Sequence, residues 1–474
     1  MPWALFYPAD YSIGASNLGV HYIFRMLREG GAAVERFFAS PAPYRSVDAD
    51  TLLERFPIIT AGVSFEGDVE TFFRWLSGAG VPLSPYDRRN GNYPVVGAGG
   101  ALTYINPMPL SGACDFIVLG DGTGALPHLT ESLRRYPSGR DREKLWNVLS
   151  EHPNLLVPPL HFTGGVLNTG RKTDVSQPLD DNFPMYGTWV TPKSSFGDTL
   201  LVELQRGCVR KCSYCVLPGC FGKLRQRKFS HLEDSLAQVV DKVRCEQIGL
   251  VTPEAGDYAE LDRLLDFIES KGRGVSFASL RVDRLTEKMI CALTRGGRKS
   301  LTIAPEAATD ELRFSCGKKF SNELIMQKLT MAKKLGVEQL KLYFMVGLPG
   351  EADEDVAAIA EMSSEIINET RQNLVISVGA FVPKPGTVWA MESFIGTAEI
   401  RRKYEILERG LRAIKKKRPA VRFASPKESE REYMLTWSGY NDSVEMAVNI
   451  ELGEKTALKH FNQAKTLDEL ELLR

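Results

Sequence analysis

The stretch Cys208-Val-Arg-Lys-Cys212-Ser-Tyr-Cys215 contains three cysteines, separated by three residues and then by two. Thiolates this close in sequence can bind one face of a metal cluster, and iron–sulfur clusters are held by short cysteine-rich runs of this kind. Three protein ligands leave one iron open for a substrate or cofactor. A zinc site usually has four ligands in paired spacings, and Cys220 is the only further cysteine nearby. The spacing therefore predicts an iron–sulfur centre, with a zinc knuckle or a chance cluster of buried cysteines as alternatives.

The cysteine stretch follows one strand candidate and precedes five more, which alternate with helical stretches. The predicted strands are 199–204, 248–252, 275–280, 300–304, 339–346 and 375–381. Strands that alternate with helices form parallel sheets, and in barrels the loops at the carboxyl ends of the strands hold the catalytic residues. The order of strand and cysteines therefore places the predicted centre at that end of the sheet.

Several of these strand ends carry residues that could contact a ligand. Arg281 could hold a carboxylate with two hydrogen bonds, or form a salt bridge at the barrel rim. Glu306 could accept hydrogen bonds from hydroxyl or ammonium groups of a ligand, and a solvated loop carboxylate is the alternative. Gly347-Leu-Pro-Gly350 predicts a tight turn, whose backbone could also contact a ligand.

Residues 1–135 also alternate strand and helix patterns. The strand candidates are 3–7, 34–38, 58–65, 94–97 and 116–119. This alternation predicts a doubly wound, Rossmann-like parallel sheet. Two glycine-rich turns, Gly97-Ala-Gly-Gly100 and Gly120-Asp-Gly-Thr-Gly124, follow its last two strands. Glycine lets a ligand approach backbone at such strand ends, and a purely structural turn is the alternative.

The rest of the chain completes the predicted domain organisation. Residues 136–195 are rich in proline, glycine and polar residues and predict an irregular linker. Residues 196–395 contain the six strands, and residues 396–474 predict a small, mostly helical C-terminal domain. The fold class is therefore α/β.

Charge and cysteine usage exclude several broad classes. Lysine plus arginine and aspartate plus glutamate number 59 each, so the net charge does not indicate a nucleic acid or a membrane surface as partner. No apolar run is long enough to span a membrane, and the first residues lack a secretion signal. The remaining cysteines are scattered singly, as is typical of a reducing compartment. We therefore expect a cytoplasmic protein.

The cysteine spacing, with an aromatic residue before the third cysteine, resembles the signature of the radical S-adenosylmethionine (SAM) superfamily. The six strands match the partial (β/α)6 barrel of that fold. The resemblance implies that Cys208, Cys212 and Cys215 hold a 4Fe–4S cluster that binds SAM on its open iron. Reductive cleavage would then give a 5'-deoxyadenosyl radical, with an electron from a flavodoxin- or ferredoxin-type protein. Cofactor contacts are implied for Tyr214, Arg281, Glu306, Gly347 and Gly350.

The order and position of the two glycine-rich turns resemble the cobalamin-binding-type domain found in front of many enzymes of that superfamily. The resemblance implies cofactor contacts from Gly97, Gly99, Gly100, Gly120 and Gly122. The chain departs from the usual pattern because it lacks the Asp-X-His-X-X-Gly motif that supplies a lower axial histidine. Gly386 also stands where the subgroup commonly has a histidine. The sequence therefore leaves open whether cobalamin is bound.

These resemblances predict an enzyme that uses cobalamin to methylate an unactivated carbon of an unknown substrate. A cobalamin-independent radical SAM enzyme with a degenerate front domain is the first alternative, performing rearrangement, coupling or another C–H modification. A non-catalytic iron–sulfur electron-transfer or scaffold protein is the second. A methylthiotransferase is disfavoured, because such enzymes need a second cluster from three front-domain cysteines, and Cys114 is the only cysteine before Cys208.

Overall fold

The computed structural model describes residues 1–136, 141–168, 186–415, 417–461 and 463–473. These residues form two compact units. The first contains residues 1–136, 141–168, 186–197, 434–461 and 463–473, and the second contains residues 198–415 and 417–433. Part of the predicted linker, residues 169–185, lies outside the described residues. Within the described ranges, no helix is both long and apolar enough for a membrane crossing.

The first unit is built on a six-stranded sheet. Its strands are β1 Pro2–Tyr7, β2 Ala33–Phe38, β3 Ile58–Gly62, β4 Val95–Gly99, β5 Phe116–Val118 and β6 Leu155–Leu156. Their order across the sheet is β2-β1-β3-β4-β5-β6, in which β1 to β5 are parallel and β6 is antiparallel to β5. The helices are α1 Tyr11–Gly14, α2 Leu18–Glu29, α3 Gly67–Gly78, α4 Leu102–Ile105, α5 Leu126–Arg135, α6 Arg142–Ser150 and α7 Pro158–His161. A short hairpin follows, formed by β7 Phe162–Thr163 and β8 Val166–Leu167.

Successive residues of β1 pack into two separate apolar cores. Ala4 and Phe6 lie in the core that contains α3, whereas Trp3 and Leu5 lie in the core that contains α2. Side chains alternate between the two faces of a strand, so one core covers each face of the sheet. This burial on both faces is what a parallel sheet with helices on both sides requires, and it confirms the predicted doubly wound domain.

A buried ion cluster lies at the amino end of β5. Asp115 Oδ2 accepts from Arg88 Nη2 at 2.9 Å and from Arg142 Nη1 at 2.8 Å, and these three side chains are 0% exposed. The Val96 N–H also donates to Oδ2, and Trp146 Nε1 donates to Oδ1. Burial acts to raise the pKa of Asp115, but the two guanidinium groups outweigh it and lower that pKa. The cluster therefore ties α6 to the sheet with a fully paired carboxylate.

The second unit carries the six predicted strands and a seventh parallel one. Its strands are β9 Thr199–Glu203, β10 Gln205–Arg206, β11 Arg225–Gln226, β12 Gln247–Val251, β13 Gly274–Phe277, β14 Ser300–Glu306, β15 Gln339–Val346, β16 Asn373–Ala380 and β17 Ala420–Phe423. Two parallel sheets result, with the orders β13-β12-β9 and β14-β15-β16-β17. Strands β10 and β11 form an antiparallel pair.

Helices follow the strands of the second unit in turn. They are α8 Leu217–Phe221, α9 Phe229–Val240, α10 Leu261–Ser270, α11 Glu287–Arg295, α12 Asp310–Ser315, α13 Asn322–Lys334, α14 Asp353–Thr370 and α15 Gly396–Ala413. Helix α16 Pro426–Thr436 begins in this unit, and its residues from Met434 onward belong to the first. Local sequence fixes some of their starts: the Ser321 side chain accepts a hydrogen bond from the Leu324 N–H and so caps α13. This alternation of parallel strands and helices confirms the predicted α/β class.

The predicted C-terminal domain, 396–474, is divided between the two units. Helix α15 belongs to the second unit, whereas α17 Tyr440–Glu451 and α18 Gln463–Leu473 belong to the first. Met446 and Ile450 of α17 lie in the same core as Phe72 of α3. Helix α6 and strand β6, inside the predicted linker, also pack in the first unit. Helical periodicity shows that a segment has an apolar face, but not which core that face packs against.

Candidate active site

The cysteine loop leaves the sheet through a turn that needs glycine. Gly207 has a φ of +82°, and an added Cβ would lie 2.5 Å from the carbonyl oxygen of Lys223. A side chain would meet both backbone strain and a backbone clash here. The chain can therefore turn directly from β10 into Cys208 only because residue 207 is glycine.

The middle of the loop is braced by the segment after α12. The Ser213 N–H donates to the Cys316 carbonyl at 3.0 Å, and the Ser213 hydroxyl donates to the Ser315 carbonyl at 2.9 Å. The Trp389 N–H donates to the Ser213 carbonyl at 3.0 Å. Cys316 is fully buried, and burial raises the pKa of its thiol to about 12, as expected for a packing residue. These contacts hold the backbone between Cys212 and the third cysteine in place.

Two hydrogen-bond donors point at sulfur atoms of the loop. The backbone N–H of Arg210 lies 3.4 Å from Cys208 Sγ, and the Arg281 guanidinium lies 3.9 Å from Cys212 Sγ. Burial raises the pKa of Cys208, and it raises the pKa of Cys215 to about 11. Free thiols would therefore stay protonated at neutral pH, whereas a bound metal centre holds coordinating thiols as thiolates.

The donor set of the loop fits a cluster. No group of three or more His, Cys, Asp or Glu side chains in the described ranges is placed to hold a metal ion. Three thiols in one short loop are the donors that iron–sulfur clusters take, and the braced backbone and the donors directed at Cys208 and Cys212 suit such a group.

Tyr214 and Glu306, two predicted cofactor contacts, contact each other. The Tyr214 hydroxyl donates to Glu306 Oε1 at 2.8 Å, and Lys318 Nζ donates to the same oxygen at 2.7 Å. Glu306 ends β14 after a bulge, and its φ of +70° is uncommon for a residue with a side chain. Burial and then the Glu306 carboxylate raise the pKa of Tyr214, so the phenol keeps its proton and donates it. Lys318 was not predicted as a site residue; its sequence signal was the Cys316-Gly-Lys-Lys run.

Two aspartates that the sequence did not single out hold the arginines of this site. Arg281 Nε forms an ion pair with Asp283 Oδ1 at 3.0 Å. Asp257 Oδ1 accepts from Arg210 Nη2 at 2.5 Å and from Arg284 Nε at 3.0 Å. Both aspartates follow strand ends by a few residues, which places them beside the cysteine loop. The Arg281 guanidinium is therefore oriented by Asp283 while it faces sulfur.

Glu254 is a further carboxylate at this end of the sheet that sequence reasoning missed. It lies three residues beyond β12 and is 2% exposed. Its Oε1 accepts from the Gly256 N–H at 3.0 Å, whereas Oε2 has no hydrogen-bond partner among the described residues. Burial raises its pKa to about 7, and Arg281 acts in the opposite direction. The site therefore contains one half-paired buried carboxylate near the arginine that faces Cys212.

The turn after β15 needs its two glycines for backbone geometry. Gly347 and Gly350 have φ values of +79° and +81°. An added Cβ at Gly347 would lie 2.7 Å from Ile395 Cδ1, and the Gly347 N–H donates to Glu351 Oε1 at 2.9 Å. Turn geometry alone accounts for both glycines, and their predicted contact with a cofactor stays a prediction.

In the first unit, packing accounts for the first glycine-rich turn. An added Cβ at Gly97 would overlap the Phe116 ring. Gly100 has a φ of +115°, and its Cβ would lie 2.5 Å from the Val63 carbonyl oxygen. At Gly99 the nearest atom would be 3.2 Å away. Gly97 and Gly100 are therefore required by the sheet itself, whether or not a ligand contacts them, whereas Gly99 is only tightly packed.

The second glycine-rich turn is more open. Gly120 has a φ of +69°, so it needs glycine for its backbone conformation. Gly122 lacks that requirement, and its added Cβ would meet only ordinary contacts, the nearest with Ile23 Cδ1 at 3.5 Å. Thr103 Oγ1 donates to the Gly100 carbonyl and accepts from the Gly120 N–H, which joins the two turns. Among the predicted contacts in these two turns, Gly122 is therefore the one where neither the backbone conformation nor close packing requires glycine.

His21 and His128, the two histidines of the predicted front domain 1–135, make internal hydrogen bonds. His21 Nε2 donates to the Ala15 carbonyl at 2.9 Å, and His21 Nδ1 accepts from the Thr188 N–H at 3.0 Å. Burial lowers the pKa of His21 to about 4. His128 Nε2 is hydrogen-bonded to the Val148 carbonyl at 3.0 Å. Because both ring nitrogens of His21 are occupied, this side chain is not available as an axial ligand.

Two family models match separate parts of the chain. The model of the radical SAM superfamily matches residues 202–363, which include the cysteine loop, and a model of the N-terminal part of radical SAM proteins matches residues 19–158. The chain belongs to the radical SAM superfamily. Membership implies a 4Fe–4S cluster and SAM as its cofactors, as the sequence predicted.

Related sequences match this radical SAM chain over different lengths. The uncharacterized protein MJ0966 of Methanocaldococcus jannaschii is 27% identical over 408 residues, which are 85% of this chain and 82% of that protein. The tRNA-2-methylthio-N(6)-dimethylallyladenosine synthase of Desulfitobacterium hafniense is 24% identical over 238 residues, 45% of this chain and 52% of that enzyme. The chain therefore aligns with about half the length of that synthase.

Solved radical SAM structures share the fold. TsrM from Kitasatospora setae, a radical SAM methyltransferase with tryptophan substrate and a SAM analogue bound, has a TM-score of 0.55 at 15% identity, covering 95% of this chain and 89% of TsrM. Another TsrM structure contains cobalamin and a 4Fe–4S cluster. The cobalamin-dependent SAM radical enzyme OxsB has a TM-score of 0.50 at 14% identity, covering 76% of this chain and 51% of OxsB. At these identities the likeness shows the fold alone.

Proposed function

We propose that the chain is a radical SAM enzyme in which Cys208, Cys212 and Cys215 hold the 4Fe–4S cluster. The braced cysteine loop, with the Arg281 guanidinium 3.9 Å from Cys212 Sγ, is the observation that carries this proposal. When bound and reduced by a flavodoxin- or ferredoxin-type protein, the cluster would supply the electron that cleaves SAM to methionine and a 5'-deoxyadenosyl radical. That radical would take a hydrogen atom from the substrate and become 5'-deoxyadenosine; in a methylating reaction SAM would be the source of the methyl group, leaving S-adenosylhomocysteine.

The chain's own residues hold the loop and offset its charge. The Arg281 guanidinium, oriented by Asp283, places a positive charge 3.9 Å from Cys212 Sγ, where it would offset negative charge on a bound cluster. Glu306, through the Tyr214 hydroxyl, positions the residue just before the third cysteine. Glu254 Oε2 provides an acceptor that a donor group of a bound ligand would satisfy.

The finer proposal is cobalamin-assisted methylation of an unactivated carbon. Its support is the shared fold with TsrM and OxsB, together with the open Gly120–Gly122 turn at the carboxyl end of the first unit's sheet. The engaged His21 means that any corrinoid would bind without an axial histidine from this residue.

A cobalamin-independent reaction is the second candidate. It is favoured by the first glycine-rich turn, in which Gly97 and Gly100 are already required by internal packing. A methylthiotransferase stays disfavoured: the match to the tRNA methylthiolating synthase covers 45% of this chain, and a second cluster would need more front-domain cysteines than Cys114. Cys114 is also fully buried.

The test is anaerobic reconstitution of the full chain with iron and sulfide, followed by reduction in the presence of SAM. We expect about four irons per chain and release of 5'-deoxyadenosine or S-adenosylhomocysteine. Cys212→Ala should lose both, whereas Cys291→Ala, on helix α11 outside the loop, should keep both. A wild-type chain that forms neither product would overturn the enzyme proposal. An absorption spectrum of protein from cobalamin-fed cells then selects between the two reactions, since only the first predicts a corrinoid band.

A further inference from the structure

The sheet of strands β14 to β17 is covered by helices on one face only. Parallel sheets are normally buried on both faces. Here, residues alternate along the strands, and one set is buried: Leu301, Ile303, Leu340, Leu342, Phe344, Leu374, Ile376 and Val378. The opposite set is partly or fully exposed: Thr302, Lys341, Tyr343, Met345, Val375, Ser377, Gly379, Ala420 and Arg422. We call this second set the open face.

The open face carries two positive charges and no carboxylate. Neither Lys341 nor Arg422 forms a hydrogen bond or ion pair with another described residue. By contrast, many other basic side chains of the second unit, such as Arg402 with Asp353, are ion-paired. A cation on a sheet face that pairs with nothing in the chain is free to bind an anion from outside it.

The register places these groups side by side. Tyr343 is opposite Ser377, which is opposite Arg422, so the three form one row across β15, β16 and β17. Lys341 lies two residues before Tyr343 on the same face and is opposite Thr302. Tyr343 is 46% exposed, so its side chain is accessible on this face. Two cations, two aliphatic hydroxyl side chains and an aromatic ring thus lie on the same face of three neighbouring strands and β14.

We propose that the open face binds the substrate of the radical reaction through an oxyanion group, a carboxylate or a phosphate. Lys341 and Arg422 hold the oxyanion, because a guanidinium pairs with either group by two parallel hydrogen bonds and an ammonium adds a point charge. The Tyr343 ring packs against the adjoining part of the substrate. This inference rests on the proposed function, since it names the substrate class of that site.

The open face extends toward the carboxyl ends of its strands. Tyr343 lies four residues before Gly347, and Glu306, at the end of the neighbouring strand, is paired with Phe344, one residue after Tyr343. Four residues of parallel strand span about 13 Å. A substrate anchored at Lys341 and Arg422 therefore lies within one strand length of the predicted cofactor contacts.

The experiment measures anion binding without SAM or reductant, so its result does not depend on the radical reaction. Pyrophosphate and citrate are titrated separately into the full-length protein by calorimetry, which distinguishes phosphate from carboxylate recognition. We expect saturable binding of at least one of them. Lys341→Met and Arg422→Gln should each weaken it about tenfold, as loss of a charged hydrogen bond implies, and the double variant should abolish it.

Matched variants control for charge and for folding. Lys334→Met and Arg401→Gln remove exposed cations on helices α13 and α15 and should leave the affinity within about twofold. Lys341→Arg keeps the charge and should retain most of the binding. The inference is overturned if neither anion binds the wild type, if the double variant binds as well as the wild type, or if the control variants lose as much affinity. Binding of a single-stranded RNA but of neither small anion would also overturn it, in favour of a nucleic-acid surface. The release of 5'-deoxyadenosine by the wild type tests the proposed function separately.

Discussion

Each unit contains a buried carboxylate near strand ends, and the two are paired to different degrees. Asp115 in the first unit has donors on both oxygens, among them two guanidinium groups. Glu254 in the second unit has one oxygen paired with a backbone N–H and one without a partner among the described residues. The pKa of Asp115 is lowered, whereas burial raises the pKa of Glu254 to about 7. The two carboxyl groups are buried to a similar extent, so the difference between their pKa values comes from their hydrogen-bond and charge partners.

The comparison separates a structural carboxylate from one suited to a ligand. A buried polar atom without a hydrogen bond costs about 1–3 kcal/mol, and native proteins keep few of them. Asp115 avoids that cost within the chain. Glu254 Oε2 does not, and it lies at the strand ends where the cysteine loop is held. Such a cost is understandable where a bound molecule supplies the missing donor.

The largest effect is expected for Asp115→Asn. The change leaves Arg88 and Arg142 buried without their counter-charge, and breaking a buried pair in this way costs about 3–5 kcal/mol. The free energy of unfolding of the full chain, from urea titration at pH 7, measures it. Glu143→Gln breaks an exposed pair with Arg89 and is the matched control, for which little change is expected. Equal losses in both variants would mean that the buried cluster does not stabilise the fold.

Glu254→Gln should raise the free energy of unfolding, whereas Asp115→Asn lowers it. The pKa of Glu254 is about 7 in the folded chain and 4.5 ordinarily, so the folded state binds the proton more tightly. Stability therefore falls as pH rises from about 4.5 to about 7, and a cost of roughly 3 kcal/mol is fully present above pH 7. Glutamine cannot ionise, so the variant should be more stable than the wild type at pH 8, by an amount that shrinks toward pH 4.5. Unfolding free energies at pH 5 and pH 8 measure this, and a gain that is the same at both would contradict the assignment.

Sequence reasoning found the elements and the cysteine loop but not the pairings around it. The six strands of the second unit were predictable because each is a short apolar run between turn residues. The spacing of Cys208, Cys212 and Cys215 is also a local pattern, and their role as cluster ligands stays a prediction. Glu254 was missed as a site residue, since a single carboxylate has no local pattern, and the run Cys316-Gly-Lys-Lys indicated Lys318 without giving its partner. Glu254 and Lys318 lie near the cysteine loop only because the ends of β12 and β14 approach it in the folded chain.

Tertiary contacts also decide the placement of the C-terminal helices and the need for particular glycines, and neither can be predicted from local sequence. Met446 gives α17 an apolar face, yet nothing in the sequence indicates that this face packs on the first unit's core. Gly97 and Gly122 look alike in the sequence. The structure separates them, because the Phe116 ring fills the space beside Gly97, whereas Gly122 has room for a side chain.

Tyr214→Phe should show how strongly the Glu306 carboxylate holds the cysteine loop. The variant removes one of the two donors to Glu306 Oε1 and leaves Lys318 in place, so a loss of about 1–2 kcal/mol is expected. Iron content after reconstitution should fall as well, because the residue before Cys215 is no longer tied to β14. Tyr93→Phe, which removes an exposed hydroxyl, is the control. Unchanged iron content with reduced stability would make the contact part of the fold rather than of the site.

The smallest change in stability is expected for Gly122→Ala. This variant tests a position of the first unit that, like Glu254 in the second, is left open by its neighbours. The added Cβ meets only ordinary contacts at 3.5 Å or more, so the unfolding free energy should change by less than about 0.5 kcal/mol. Gly100→Ala is the control that should cost more, about 1–3 kcal/mol, because its φ is +115° and its Cβ would clash with backbone. If the turn is open because a corrinoid approaches it, Gly122→Ala protein from cobalamin-fed cells should keep its stability and lose corrinoid absorbance. If Gly122→Ala protein has the same corrinoid absorbance as the wild type, no corrinoid contacts Gly122, and this position differs from Glu254 in having no ligand.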